Sequence, residues 1–375
     1  MRLLLSTSVL LLAVCAHAQQ QQADSKADPQ VHSDRTVTFR LTAPTAGKVV
    51  LSSDALDKPL ALHKDASGTW TATTAPLKPE YYSYHFEVDG TETLDPHNVT
   101  IKESYLAAGN GFLVPGATPQ PWETTAVPHG VVHHHTYTTK VVLGLERDQS
   151  EFYVYTPPGY DPRSATKYPV LYLLHGWSDT AAGWTNIGHA NDIFDNLIAA
   201  GKMKPTIVAM PLGYGEMSFV RSGFNVWDQP ATVSSNTGLF AKALLTEILP
   251  QIETLYNVSS KREDRAIAGL SMGGLESLTI GLGHVDQFAY VGGFSSALHA
   301  GSTLGQGDLA SAAQLKLLWI ACGTEDHLLE ANRKLIATLK AKSVPVTAIE
   351  TTGGHTWLVW RDNLVNFVPL LFQPK

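Results

Sequence analysis

Ala266-Ile267-Ala268-Gly269-Leu270-Ser271-Met272-Gly273-Gly274 is the stretch on which the fold turns. A short apolar strand runs into Gly-x-Ser-x-Gly, and a helix-compatible segment follows. This pattern raises a serine hydroxyl on a strained turn above a parallel sheet. Glycines flank the serine because a side chain at so tight a bend would collide with the neighbouring strand or helix. A serine hydroxyl is a weak nucleophile until a base takes its proton, so the stretch gains meaning only if a histidine and an orienting acid accompany it.

Both are present downstream. The strand Leu317-Leu318-Trp319-Ile320-Ala321 delivers Cys322-Gly323-Thr324-Glu325-Asp326, an acidic loop at a strand's carboxyl end. Val346-Thr347-Ala348-Ile349-Glu350 delivers Thr351-Thr352-Gly353-Gly354-His355 in the same way. The order Ser271, Asp326, His355 is that of the α/β-hydrolases. Side-chain direction in a loop is not encoded in spacing, so from the residues alone Glu325 stays open beside Asp326. Upstream, the buried strand Tyr168 to Leu174 ends in His175-Gly176-Trp177. An acyl-transfer site needs N–H donors aimed at the developing oxyanion, and the spacing predicts them at Trp177 and Met272.

Taken together, Tyr155-Thr156-Pro157-Pro158-Gly159-Tyr160, Leu173-Leu174-His175-Gly176, Gly269 to Gly274, Gly323-Thr324-Glu325-Asp326 and Gly353-Gly354-His355-Thr356-Trp357 resemble the carbohydrate esterases of family one, relatives of esterase D and the enterochelin esterases. The resemblance covers most of residues 131–375. It implies an α/β-hydrolase fold and favours Asp326 as the acid. Trp177-Ser178 departs from the glycines that relatives often carry after His-Gly, which bears on the shape of the acyl pocket.

Composition narrows the setting. Arg2, the apolar run Leu3 to Val14 and Ala16-His17-Ala18 read as a secretory signal over residues 1–18, so a secreted or periplasmic location is expected. The apolar run is too short for a membrane anchor, and Val14 is a poor residue before a lipidated Cys15. Past that signal only Cys322 remains, so no internal disulfide can form. A net charge of −7 gives no sign of nucleic-acid binding. Quaternary state is not legible.

Residues 19–35 read as a polar leader. From 36 to 114 the chain reads as short strands broken by turns: Val37 to Leu41, Lys48 to Leu51, Thr69 to Thr73 and the alternating Tyr81 to Val88, closed by Asp89-Gly90. That predicts an immunoglobulin-like sandwich, and Trp70 through Leu94-Asp95-Pro96 resembles glycogen-binding-type early-set modules. A proline-rich linker is expected over 115–130. Beyond it, strands alternate with helices at Asn191 to Ala200, Leu239 to Tyr256 and Leu328 to Lys342, which predicts a doubly wound, mostly parallel sheet over 131–375.

Around the expected site, His175, Gly176, Trp184, Trp227 and Trp357 are candidates to touch substrate, the tryptophans suggesting a flat, partly apolar acyl group. The aperiodic run Gly213 to Pro230 reads as a lid. His133-His134-His135 invites a zinc reading, but consecutive strand residues point to opposite faces, so neither metal nor organic cofactor is expected. The tyrosines at 81, 82 and 84 read as sandwich core or as a sugar platform. The reading is a serine carboxylesterase acting on ester-substituted polysaccharide, feruloyl arabinoxylan first. Acetyl xylan esterase is the alternative, with a siderophore esterase or a non-catalytic carbohydrate-binding protein behind it.

Overall fold

The computed structural model describes residues 29–298, 309 and 311–373. The expected signal segment and residues 19–28 of the leader lie outside the described residues. Among the described residues no helix is long and apolar enough to cross a membrane. The chain divides into two compact units: Tyr84–Thr100 joins the residues up to Lys78, while Pro79–Ser83 joins everything from Ile101 onward. The division therefore falls inside a strand rather than in the proline-rich stretch.

In the first unit, Val37–Thr42 pairs antiparallel with Thr69–Thr73, and Val49–Ser53 pairs with Tyr84 to Val88. Phe39 of one sheet meets Tyr84 of the other with ring centroids 4.9 Å apart. Asp89 and Gly90 have φ of 49° and 88°, the two left-handed residues that a tight type I′ hairpin needs. Tyr81, Tyr82 and Tyr84 are all buried, so they leave no open stacking platform.

The second unit is an α/β-hydrolase. Its eight strands are β1 (Val131–Thr138), β2 (Gln149–Thr156), β3 (Val170–Leu174), β4 (Ile207–Pro211), β5 (Arg265–Leu270), β6 (Tyr290–Phe294), β7 (Leu317–Gly323) and β8 (Thr347–Thr351). They lie in the order β1-β2-β4-β3-β5-β6-β7-β8, antiparallel through β1 and β2 and parallel from β4 onward. Every residue of β3, β5 and β6 is buried. Covered on both faces, such strands read as unbroken apolar runs.

The period-two alternation assigns each strand residue to a face. Leu171 and Leu173 of β3 pack with helices α1 (Ala190–Ala199) and α5 (Trp357–Phe367) through Ile193, Phe194, Leu364 and Phe367. Tyr172 and Leu174 pack with α2 (Pro230–Ala243), α3 (Met272–Gly283) and α4 (Leu329–Ala341) through Phe240, Leu278, Ile280 and Leu335. The helix expected over Leu239 to Tyr256 begins earlier, at Pro230, and passes through a π turn at Leu244–Ile248 into Leu249–Leu255. The expected lid is partly ordered as a short helix, Ser218–Arg221, and a 3-10 turn, Phe224–Asp228.

One buried cation explains why Pro79–Ser83 belongs with the hydrolase. Arg361 on α5 is fully buried; it donates to the Ile187 carbonyl at 2.6 Å, the Tyr81 carbonyl at 2.5 Å and Glu80 Oε1 at 3.0 Å. Its guanidinium also lies 5.6 Å from the Tyr81 ring centroid and 5.4 Å from that of Trp122. A charge in so dry a place is tolerable only with such partners.

Candidate active site

The ends of β5, β7 and β8, on the same side of the sheet, bring the candidate groups together. Ser271 follows the central strand β5 with φ 51° and ψ −112°, a conformation costly for a non-glycine residue, and its N–H is tied to the Phe294 carbonyl at 2.8 Å. The flanking glycines permit the turn. A Cβ on Gly269 would lie 2.5 Å from the Gly273 carbonyl oxygen, and one on Gly273 would lie 2.5 Å from the His175 carbonyl oxygen.

From the end of β8 comes His355, whose Nε2 lies 3.0 Å from Ser271 Oγ. Its Nδ1 lies 2.8 Å from Asp326 Oδ2, in the turn after β7. Asp326 is buried and Glu325 exposed, so Asp326 is the carboxylate set against the imidazole. Burial pushes the Asp326 carboxyl up, but the His355 hydrogen bond and charge and the Leu328 N–H, which donates to Oδ1 at 2.8 Å, leave it below the usual range. An ionised Asp326 would hold the Nδ1–H tautomer and leave Nε2 facing the serine hydroxyl as an acceptor. Trp360, which the sequence reading passed over, stands edge-on to His355 at 4.9 Å.

The turn after β3 faces the nucleophile: a Cβ on Gly176 would lie 3.5 Å from Ser271 Cβ. Among the described residues, neither the Trp177 N–H nor the Met272 N–H has a protein acceptor. Two unsatisfied donors beside a serine hydroxyl can receive an oxyanion.

The candidate substrate residues separate by exposure. His175 is buried; its Nδ1 lies 2.8 Å from the Gly176 carbonyl oxygen, and its Nε2 accepts the Gly213 N–H at 2.8 Å. Desolvation drives its pKa down to about 4, so it is a neutral brace for the turn. Trp184 is fully buried, donating Nε1–H to the Leu174 carbonyl at 2.9 Å and crossing Trp357 at 5.1 Å. Trp357 and Trp227 are 4% and 6% exposed, so these three tryptophans pack rather than offer a surface. Trp177 is half-buried, and Phe224, 65% exposed, stands edge-on to it at 5.7 Å. Phe224 sits in an aperiodic run, and no periodic signal could have marked it.

Two buried acids stand beside the turn. Asp179 is raised to about 6 by desolvation, against the pull of Lys102, the Gly176 backbone and His355. Glu276 on α3 is raised well above the carboxylate range by burial alone, and its Oε2 would touch a Cβ on Gly213 at 3.4 Å. Asp326, His327 and His355 have possible metal-ligating atoms within 4.8 Å of one another. Two of them are committed to the hydrogen bond that orients the imidazole, so an ion there would compete with the triad.

Comparison with known proteins places the chain among esterases. An endo-1,4-beta-xylanase/feruloyl esterase of Xylanibacter ruminicola is 30% identical over 358 residues, 92% of this chain and 46% of the relative. The chain thus spans about half the length of that relative. A solved family-one ferulic acid esterase from the anaerobic fungus Anaeromyces mucronatus is 27% identical, with TM-score 0.57 over 68% of this chain and 96% of the other. The enterobactin esterase of Shigella flexneri shares the fold, with TM-score 0.69 at 18% identity over 95% and 99% of the two chains. The esterase family model matches residues 146–371, and the chain belongs to that family.

Proposed function

We propose that the protein is a secreted serine carboxylesterase that removes feruloyl groups from plant cell-wall polysaccharide such as arabinoxylan. The observation that carries the serine chemistry is the unbroken chain from Ser271 Oγ through the His355 imidazole to Asp326, at 3.0 and 2.8 Å. Ser271 Oγ attacks the ester carbonyl while His355 Nε2 takes its proton. The oxyanion forms between the Trp177 and Met272 N–H groups, where fixed dipoles need no reorganisation. Collapse of the tetrahedral adduct expels the sugar alkoxide, protonated by His355, and leaves an acyl-serine. Water, deprotonated by the same imidazole, attacks that ester and releases the acid and free Ser271.

The feruloyl preference rests on the similarity to feruloyl esterases and on the exposed Phe224 ring set against Trp177 beside an oxyanion donor. A flat aryl acid can lie on such a wall, whereas an acetyl group has no use for it. Secretion rests on the sequence of residues 1–18, and a carbohydrate-binding role for the first unit on its resemblance to early-set modules. Steady-state kinetics on methyl ferulate and an acetate ester of matched leaving group decide the acyl group. Higher kcat/KM on ferulate is expected, and a clear preference for acetate would promote the acetyl xylan alternative.

A further inference from the structure

We propose that Ser104 and Tyr105, well upstream of the hydrolase sheet, are positioning residues for the oxyanion hole. The inference rests on the reading of Ser271 as nucleophile and Trp177 as oxyanion donor. Ser178, next to Trp177, has φ 73°, left-handed backbone that a serine does not adopt by preference. Something outside the turn must hold it there. The Ser178 carbonyl accepts two hydrogen bonds from one short segment: the Tyr105 N–H at 2.8 Å and Ser104 Oγ at 3.1 Å. Ser104 Oγ in turn accepts the Leu106 and Ala107 N–H groups, both at 3.2 Å, so the hydroxyl that reaches the turn is itself fixed.

Neighbouring contacts point the same way. Glu103 Oε2 accepts from Thr180 Oγ1 at 3.1 Å, two residues past Ser178. The Tyr105 ring meets Tyr214 edge-on at 5.7 Å, and the Tyr214 hydroxyl donates to the Asp179 carbonyl at 3.1 Å. From the other side His175 ties the turn to Gly213. The turn is thus gripped between residues 103–105 and residues 213–214. The Trp177 N–H lies in the Gly176–Trp177 peptide, one residue ahead of the strained Ser178 and one after His175, so its aim depends on both grips. An oxyanion donor that swings by a few tenths of an ångström loses transition-state binding while substrate binding is spared.

The test uses the full-length protein. Ser104→Ala should lower kcat about tenfold, the factor carried by about 1.4 kcal/mol, with KM little changed. It should weaken phenylboronic acid, which forms a tetrahedral adduct on the serine, by the same factor, and leave binding of ferulic acid unaltered. Ser104→Thr, which keeps a hydroxyl, should restore kcat. In a Ser178→Gly background, where the left-handed turn is unstrained, Ser104→Ala should cost less than about twofold. An unchanged kcat in Ser104→Ala overturns the proposal. So does an equal loss of phenylboronic and ferulic acid binding with a lowered melting temperature, since that marks general loosening. Wild-type protein that cannot be labelled at Ser271 by a fluorophosphonate would instead sink the serine reading beneath it.

Discussion

A chain beginning at Val127 keeps the whole hydrolase sheet and the triad, yet it should be markedly less stable than the full protein. The deletion removes Glu80 and the Tyr81 carbonyl from Arg361, and Trp122 from its face, so a fully buried guanidinium loses its hydrogen-bonded carboxylate. Stripping a buried charge of its partner costs about 3–5 kcal/mol. That is a large share of the ~5–15 kcal/mol that separates folded from unfolded protein. For a unit of this size the melting temperature should fall by about 10 °C. Thermal unfolding of the two chains, followed by circular dichroism, measures it. A second variant isolates the cause. Arg361→Met should destabilise the full-length protein by orphaning Glu80, but should stabilise the shortened chain by deleting a buried charge that has lost its hydrogen-bonded carboxylate. Melting temperatures that agree within about 2 °C, or an Arg361→Met effect of the same sign in both chains, would refute the reasoning.

Further outcomes follow from the site. Ser271→Ala and Ser271→Gly should both lose activity by at least about three orders of magnitude. Only the glycine variant should gain stability, by about 1 kcal/mol in urea unfolding, because it relieves the positive φ. Asp326→Asn should lower kcat by up to about four orders of magnitude, while Glu325→Gln should stay within about twofold of wild type. His175 titrates near 6.5 when unfolded and at about 4 when folded. A depressed folded value gives stability that is present above pH ~6.5 and lost as pH falls toward 4, by up to about 3 kcal/mol. The urea midpoint should therefore fall less between pH 7 and pH 4.5 in His175→Gln than in wild type.

The central sheet and the grouping of Ser271 and His355 were legible because they rest on local signals. Strands covered on both faces are continuous apolar runs, and the turns that follow them carry their own glycines. The choice between Glu325 and Asp326 needed the fold, since adjacent loop residues point in different directions, one into the protein and one into solvent. Exposure was the least legible property. Trp184, Trp227 and Trp357 gave the same aromatic signal as Trp177, yet the first three became core. Pairings between distant residues were out of reach altogether. Nothing in Glu80-Tyr81 or Ser104-Tyr105 announces a partner at Arg361 or Ser178, and as strand and turn residues they read naturally as parts of the sandwich.

The triad reaches from the middle of the sheet to its rim. Ser271 leaves β5, which is buried throughout, whereas His355 hangs from β8, where Thr347 to Glu350 are exposed. The rim loop is held by a few bonds: Thr324 N–H to the Thr351 carbonyl at 2.8 Å, Glu325 N–H to the Gly353 carbonyl at 2.9 Å, and the exposed Arg333–Glu350 pair. Segments tied so lightly open in local fluctuations long before the core melts, and their amides exchange accordingly. The imidazole is therefore carried by a segment expected to open before the buried strands do. Catalytic competence and foldedness should then be separate quantities: on warming, esterase activity is expected to fade reversibly below the temperature at which circular dichroism reports unfolding.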